Sequence, residues 1–250
     1  MTAPVAIVRS GVQTPDVYTA GTEPAGMPRK SYQEQLDTLR EDVLYMGEVV
    51  AERLRYGLDA MEQKDEQLAR EVIDGDEEIN EMYLELEGDC IDLFALQQPV
   101  ASDLRFIASS FKITTDLERI GDLATNLARY AIEARRDLFP EVDVRAIGDR
   151  TLEALQRAMD AYAASDVAAC HAIDRSDDEI DQLCEAASEL VVRDLIEREF
   201  VGADGEIEPL LPDVRRLLLT VRDLERVGDH CVNIAARTLY MAENDAELIR

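Results

Sequence analysis

Asp116-Leu117-Glu118-Arg119-Ile120-Gly121-Asp122, followed by Asn126, returns as Asp223-Leu224-Glu225-Arg226-Val227-Gly228-Asp229, followed by Asn233. The offset is 107 residues. Upstream, Asp76-Glu77-Glu78-Ile79-Asn80 returns as Asp177-Asp178-Glu179-Ile180-Asp181 at an offset of 101. A longer loop before the last helix accounts for the difference. Agreement in order, spacing and position marks an internal repeat, and the repeat decides the architecture.

Each motif sits in a long apolar stripe of helical period. In the first half, Leu36, Leu39, Val43, Met46, Val50, Leu54 and Leu58 recur at three- and four-residue steps, behind a capping-box signature at Ser31-Tyr32-Gln33-Glu34. That helix is expected to end near Gln63. Asp65 is a cap for the next segment, Gly75 marks a bend, and Ile79, Met82, Tyr83, Leu86, Cys90 and Leu93 carry a second long helix to about Gln98. Pro99 stands where a first helical turn accepts proline. The third helix, with Leu104, Ile107, Phe111, Leu117, Ile120, Leu127 and Ala131 apolar, stops before Pro140. The pattern then restarts at Val144, reaches a turn at Asp166, continues through Ile173, Ile180, Leu183, Ala187, Leu190 and Val191, and breaks in a loop over 201–209. Pro212 opens the last helix. The expected fold is therefore all-α: a tandem repeat of two three-helix bundles, six long helices, related by a pseudo-two-fold. Residues 1–30, rich in Thr, Pro, Gly and Ala, read as a flexible tail; 31–140 and 141–250 are the two repeats.

A formal net charge of −28 repels duplex DNA and anionic lipid headgroups, both of which demand clustered Lys/Arg. Yet 46% of residues are hydrophobic, which excludes a disordered polyanion. Lysine occurs only at Lys30, Lys64 and Lys112. An acid-rich, lysine-poor chain of this kind fits a protein from a halophile, where salt screens the self-repulsion. No window approaches the about 20 apolar residues of a membrane span. Cys90, Cys170, Cys184 and Cys231 form no CxxC and read as reduced core residues of a cytoplasmic protein.

Glu118 and Asp122, like Glu225 and Asp229, lie four residues apart and stack on one helix face. Like charges at that spacing destabilise a helix by a few tenths of a kcal/mol, and the adjacent glycine weakens it by about 1 kcal/mol. A bound cation is one reason to place them there twice; hard carboxylate oxygens suit Fe, Mn, Mg, Ca or Zn. Asp76 with Asn80, and Asp177 with Asp181, repeat the spacing one helix earlier. If those helices are antiparallel neighbours, the pairs converge into an oxygen site, weaker by one charge in the first half. Against this, Arg119, Arg226, Arg105, Arg129 and Arg237 lie on the same helices, and simple salt-bridge networks account for any single acid pair. Recurrence in both repeats favours metal for the four motif acids and favours it less for the upstream pairs. His171 lies away from any motif. His230 has Leu123 as its counterpart, so a symmetric site does not depend on it.

With these residues in hand, the sequence resembles the PhoU family. Gln97-Gln98-Pro99-Val100-Ala101-Ser102-Asp103-Leu104-Arg105 is similar to that family's turn into its third helix, and LERIGD and LERVGD, with Asn126 and Asn233 downstream, resemble its signature in both halves. The likeness spans about 31–242. It implies two three-helix bundles, multinuclear metal (iron in some members) at E/D-x-x-x-D pairs, and dimerisation to a homodimer. Asn126, Asn233, Arg119 and Arg226 would then surround the ligands. The implied role is negative regulation of phosphate uptake through the ATPase subunit of the phosphate ABC transporter and, in bacteria, a sensor histidine kinase. The N-terminal extension, the acidity and Asn80 depart from the family pattern. No glycine-rich phosphate loop, GxSxG or HExxH is present, so no enzyme is expected. The alternatives are a metal-dependent phosphohydrolase in a helical bundle and a metal-free helical adaptor.

Overall fold

The computed structural model describes residues 29–96, 100–134, 139, 141–200 and 208–249. The expected tail and the Gln97–Pro99 part of the turn motif lie outside the described residues, as does most of the 201–209 loop. Helices α1 (Arg29–Gln63), α2 (Glu66–Asp74), α3 (Asp76–Leu96) and α4 (Ala101–Glu133) build the first half. The second half comprises α5 (Val144–Ala164), α6 (Val167–Phe200) and α7 (Leu211–Glu243), with a 3-10 turn at Glu208–Leu210. Together α2 and α3 are the counterpart of α6, so the repeat of three helical layers holds, with no strand among the described residues.

Local chemistry sets the boundaries. Asp65 caps α2, its carboxylate accepting from the backbone N–H groups of Gln67 and Leu68. Gly75 separates α2 from α3: a Cβ there would stand 2.5 Å from the Arg53 guanidinium, which crosses the break to pair with Glu78. Asp143 and Asp166 cap α5 and α6 in the same way, each accepting from an N–H three residues on. Ser165, at φ 52°, ends α5 in the left-handed region. At the start, α1 begins at Arg29, so Ser31 lies inside the helix rather than at the cap that its sequence signature suggested.

The first stripe is buried throughout: Leu36, Leu39, Val43, Met46, Val50, Leu54 and Leu58 all belong to one continuous core. That core runs through both repeats, because α4 packs on α7 and α1 packs on α5. Arg40 of α1 donates to the Tyr162 carbonyl at 3.0 Å and lies over the Phe106 and Tyr162 rings, while Arg145 of α5 reaches Asp59 and Glu62 at the other end of α1. The α1–α5 pair is therefore antiparallel. Three residues counted as inward by their period, Leu104, Leu183 and Leu190, are instead exposed. Leu104 lies at the start of α4, and Leu183 and Leu190 lie on α6, which among the described residues packs only on α5 and α7, so part of its apolar stripe has no helix over it.

Candidate functional site

The two DLERxGD motifs occupy the middle of the central helices, and α4 and α7 cross there antiparallel. Asn126 Nδ2 donates to Asp223 Oδ2 at 3.3 Å, and Asn233 Nδ2 donates to Asp116 Oδ1 at 3.3 Å. Each bond is the other's image under the 107-residue offset, so the contact is self-complementary, as a two-fold requires. The rest of each clasp differs. Asp223 is fully buried and also accepts from Tyr130 Oη at 3.0 Å and from Arg222 at 3.0 Å. Asp116 keeps 15% exposure and meets His230 Nδ1 at 2.9 Å. His230 is thus an inter-repeat contact, and Asn126 and Asn233 hold the opposite repeat. The sequence reading passed over Asp116 and Asp223; the signal available was their exact recurrence with Asn126 and Asn233 ten residues on.

The remaining acids of each motif face the neighbouring helix of their own half. Gly121 packs on Ile79, whose Cδ1 would lie 3.0 Å from an added Cβ; at Gly228 that Cβ would lie 2.9 Å from Asp177 Oδ1. The glycines therefore admit the neighbouring helix. This close approach brings the carboxylates into one another's fields. Burial raises the Glu118 carboxyl pKa above its ordinary value, and Asp122 and Asp76 raise it further, against opposing effects of Arg119 and His230. Burial likewise raises Glu225, followed by Asp181 and Asp229. Glu225 thus lies in the field of Asp181 and Asp229, and Glu118 in that of Asp122 and Asp76.

Their hydrogen bonding is not the same. Arg119 spans Glu118 at 3.3 Å and Asp122 at 3.2 Å, so the first pair carries an internal counter-ion. Thr125 Oγ1 donates to Asp76 Oδ1 at 2.9 Å. Arg226, the counterpart of Arg119, reaches Asp223 at 3.9 Å. Asn80 is half-buried on α3. Among the described residues no three His, Cys, Asp or Glu side chains are arranged to hold a metal ion. The donor chemistry nevertheless fits a hard cation: the atoms are all oxygen, and two of the carboxyls are raised by burial and then by neighbouring acids, a repulsion a cation would relieve. A cavity of about 510 Å³ lies away from these acids, between α1, α4, α5 and α7, and both guanidinium groups lining it are paired, Arg145 with Asp59 and Arg216 with Asp213.

The four cysteines are buried, and Cys184 and Cys231 lie in the field of the same acids. Burial pushes the Cys90 and Cys184 thiols up to about 12 and Cys170 up to about 11, and raises Cys231 as well. No helix among the described residues is long and apolar enough to cross a membrane.

Fold and site together define a tandem three-helix repeat protein with a doubled acidic face. The PhoU domain matches it twice, over residues 43–131 and 144–238. The phosphate-specific transport system accessory protein PhoU of Escherichia coli (strain K12) is 32% identical over 211 residues, covering 84% of each chain. A homologue from Pseudomonas aeruginosa is 33% identical over 215 residues, covering 85% of each. The crystal structure of PhoU from Pseudomonas aeruginosa superposes with a TM-score of 0.77, covering 86% of this chain and all of that one at 31% identity. The phosphate transport system regulatory protein PhoU from Streptococcus pneumoniae gives 0.76 at 27% identity, covering 86% of this chain and 98% of that one. The chain belongs to the PhoU family.

Proposed function

We propose that this chain is a regulatory accessory protein of the phosphate-specific transport system, that it restrains phosphate uptake when phosphate is plentiful, and that its paired acids bind metal. The double family match carries the reading, since it covers both acid motifs at relatives named for that system. The protein acts in the cytoplasm on the transporter's ATPase subunit and, in bacteria, on a sensor kinase. Buried thiols with raised pKa values are poor nucleophiles, and His230 is engaged by Asp116, which supports a regulator over an enzyme.

Glu225, Asp229, Asp177 and Asp181 would hold metal in the second half, and Glu118, Asp122, Asp76 and Asn80 in the first. Iron is the favoured metal by family likeness. The bound cation would supply positive charge on an otherwise anionic surface, a place for phosphate or a partner's carboxylates to dock. In the first half Arg119 would have to swing away from Glu118 and Asp122, a motion its 53% exposure leaves open.

The test is complementation. In cells lacking their own family member, the chain should return phosphate uptake in rich medium to its restrained level. A well-expressed chain that leaves uptake unchanged would refute the regulatory reading, and turnover of a phosphate ester above about 1 s⁻¹ by metal-loaded protein would replace it with an enzyme.

A further inference from the structure

The pseudo-two-fold also relates α1 and α5, the helices of the other seam between the repeats. At an offset of 101 residues Lys64, at φ 54°, matches Ser165, at φ 52°, and the capping Asp65 matches Asp166. The packing is reciprocal: a Cβ on Gly47 would meet the Met159 side chain, and a Cβ on the counterpart Gly148 would meet Leu58, the counterpart of Met159. Charge breaks the match. At one end of the seam Arg145 Nη1 reaches Asp59 and Glu62, and its Nε reaches Asp149. At the other end Leu44 stands for Arg145 and Ala163 for Glu62, yet Asp160 and Glu48 repeat the remaining two carboxylates. Those four residues line a groove of about 620 Å³ between α1 and α5. The acids of an arginine site are present there and the arginine is not.

The surroundings select what fills the groove. Glu48 and Asp160 make no ion pair among the described residues. Arg55 lines the groove as well, but seven residues beyond Glu48, about 10 Å farther along α1, and Glu52 adds a third carboxylate. The floor is apolar, through the buried Leu155 and Met159, so an alkyl stem can lie on it with its charged head between the acids. Two carboxylates on facing helices suit a forked guanidinium better than a point charge, as Arg145 does at the other end. At the rim Tyr45 is 58% exposed, where the matching residue is Ala146. An exposed tyrosine beside an apolar floor and unpaired acids is the composition of a protein interface rather than of a small-molecule pocket.

We infer that the α1–α5 groove docks a partner protein through an arginine side chain, which takes the place that Arg145 fills at the other end of the seam. The guanidinium lies between Glu48 and Asp160, and its stem lies on Met159. Because Arg145 already occupies the pseudo-equivalent place, one chain offers one such site.

The experiment follows the Met159 methyl signal of the full chain by NMR as an acetylated, amidated Leu-Arg-Leu peptide is added. The peptide should bind saturably, one copy per chain, with a Kd of about 1 mM or tighter. The same peptide with citrulline keeps the shape, drops the charge and should bind about tenfold more weakly. Glu48→Gln with Asp160→Asn should weaken the arginine peptide to the same extent; both side chains are exposed, so helix content and Tm should hold. Leu44→Arg should fill the groove from within and abolish binding. Absence of saturable binding, equal binding of the citrulline peptide, or binding that survives the two carboxylate substitutions overturns the inference. Agmatine that binds as tightly as the peptide assigns the groove to a small guanidine, and self-association of the wild type that Leu44→Arg abolishes assigns it to a second copy. Either result overturns the protein partner.

Discussion

Replacing Asp223 by alanine should be among the most damaging single changes in the molecule, although it touches neither proposed ligand pair. Its side chain is fully buried and accepts from Tyr130 Oη at 3.0 Å, Asn126 Nδ2 at 3.3 Å and Arg222 at 3.0 Å. Hydrogen bonds to a charged group contribute about 1.5–3 kcal/mol each, and removing one partner of a buried charged network costs about 3–5 kcal/mol. Arg222 is more than half exposed and water can replace its contact, so the lower end applies: about 3 kcal/mol. In a chain of this size that lowers Tm by about 6–12 °C. Asp116→Ala removes the pseudo-equivalent group, which keeps some exposure and meets Asn233 and His230, and should cost about 1–2 kcal/mol. Urea unfolding followed by circular dichroism reads both. A double-mutant cycle of Asp223→Ala with Tyr130→Phe should return a coupling of about 1 kcal/mol or more. Should Asp223→Ala fall within about 0.5 kcal/mol of wild type, the ordinary range for an uncoupled surface site, the reciprocal clasp does not hold the repeats together.

In chelator-stripped protein, Glu118→Gln with Glu225→Gln should be stabilising at pH 7. Both folded-state carboxyl pKa values are raised, so the stability these groups contribute is present in acid and lost as pH rises through the folded values. The gain should vanish below about pH 4 and reverse when metal is added; a destabilised stripped variant at pH 7 would contradict the crowding. The four buried thiols should resist iodoacetamide at pH 8 in the native chain and react once it is unfolded, because little thiolate exists with thiols raised to about 11 or 12. Rapid native alkylation would show that the helices open readily. Raising KCl from low to molar concentration should raise Tm by screening a net charge of −28; a flat series would remove the halophilic reading.

The architecture was legible because periodicity and repetition are local signals. The stripe from Leu36 to Leu58 is buried without exception, and Asp65 and Gly75 punctuate the second helix where their chemistry placed them. Leu104, Leu183 and Leu190 fit the same period yet are exposed, since period tells which residues share a face and not whether another helix covers it. The motif was legible as a repeat but only half legible as chemistry. Glu118, Asp122, Glu225 and Asp229 drew notice as stacked acids. Asp116 and Asp223 form the inter-repeat clasp, which depends on the antiparallel crossing of α4 with α7 and is invisible to spacing along one helix. Spacing along one helix likewise could not show what Gly121 and Gly228 admit: Ile79 at the first, Asp177 and Ile180 at the second.

The most direct test of the acidic faces is metal content. Protein stripped with chelator, reloaded with iron and freed of excess should retain bound metal by elemental analysis, and Glu118→Lys with Glu225→Lys should lose it while keeping its helix content. Equal metal in wild type and double variant, or none in either, would contradict the assignment of these carboxylates as ligands.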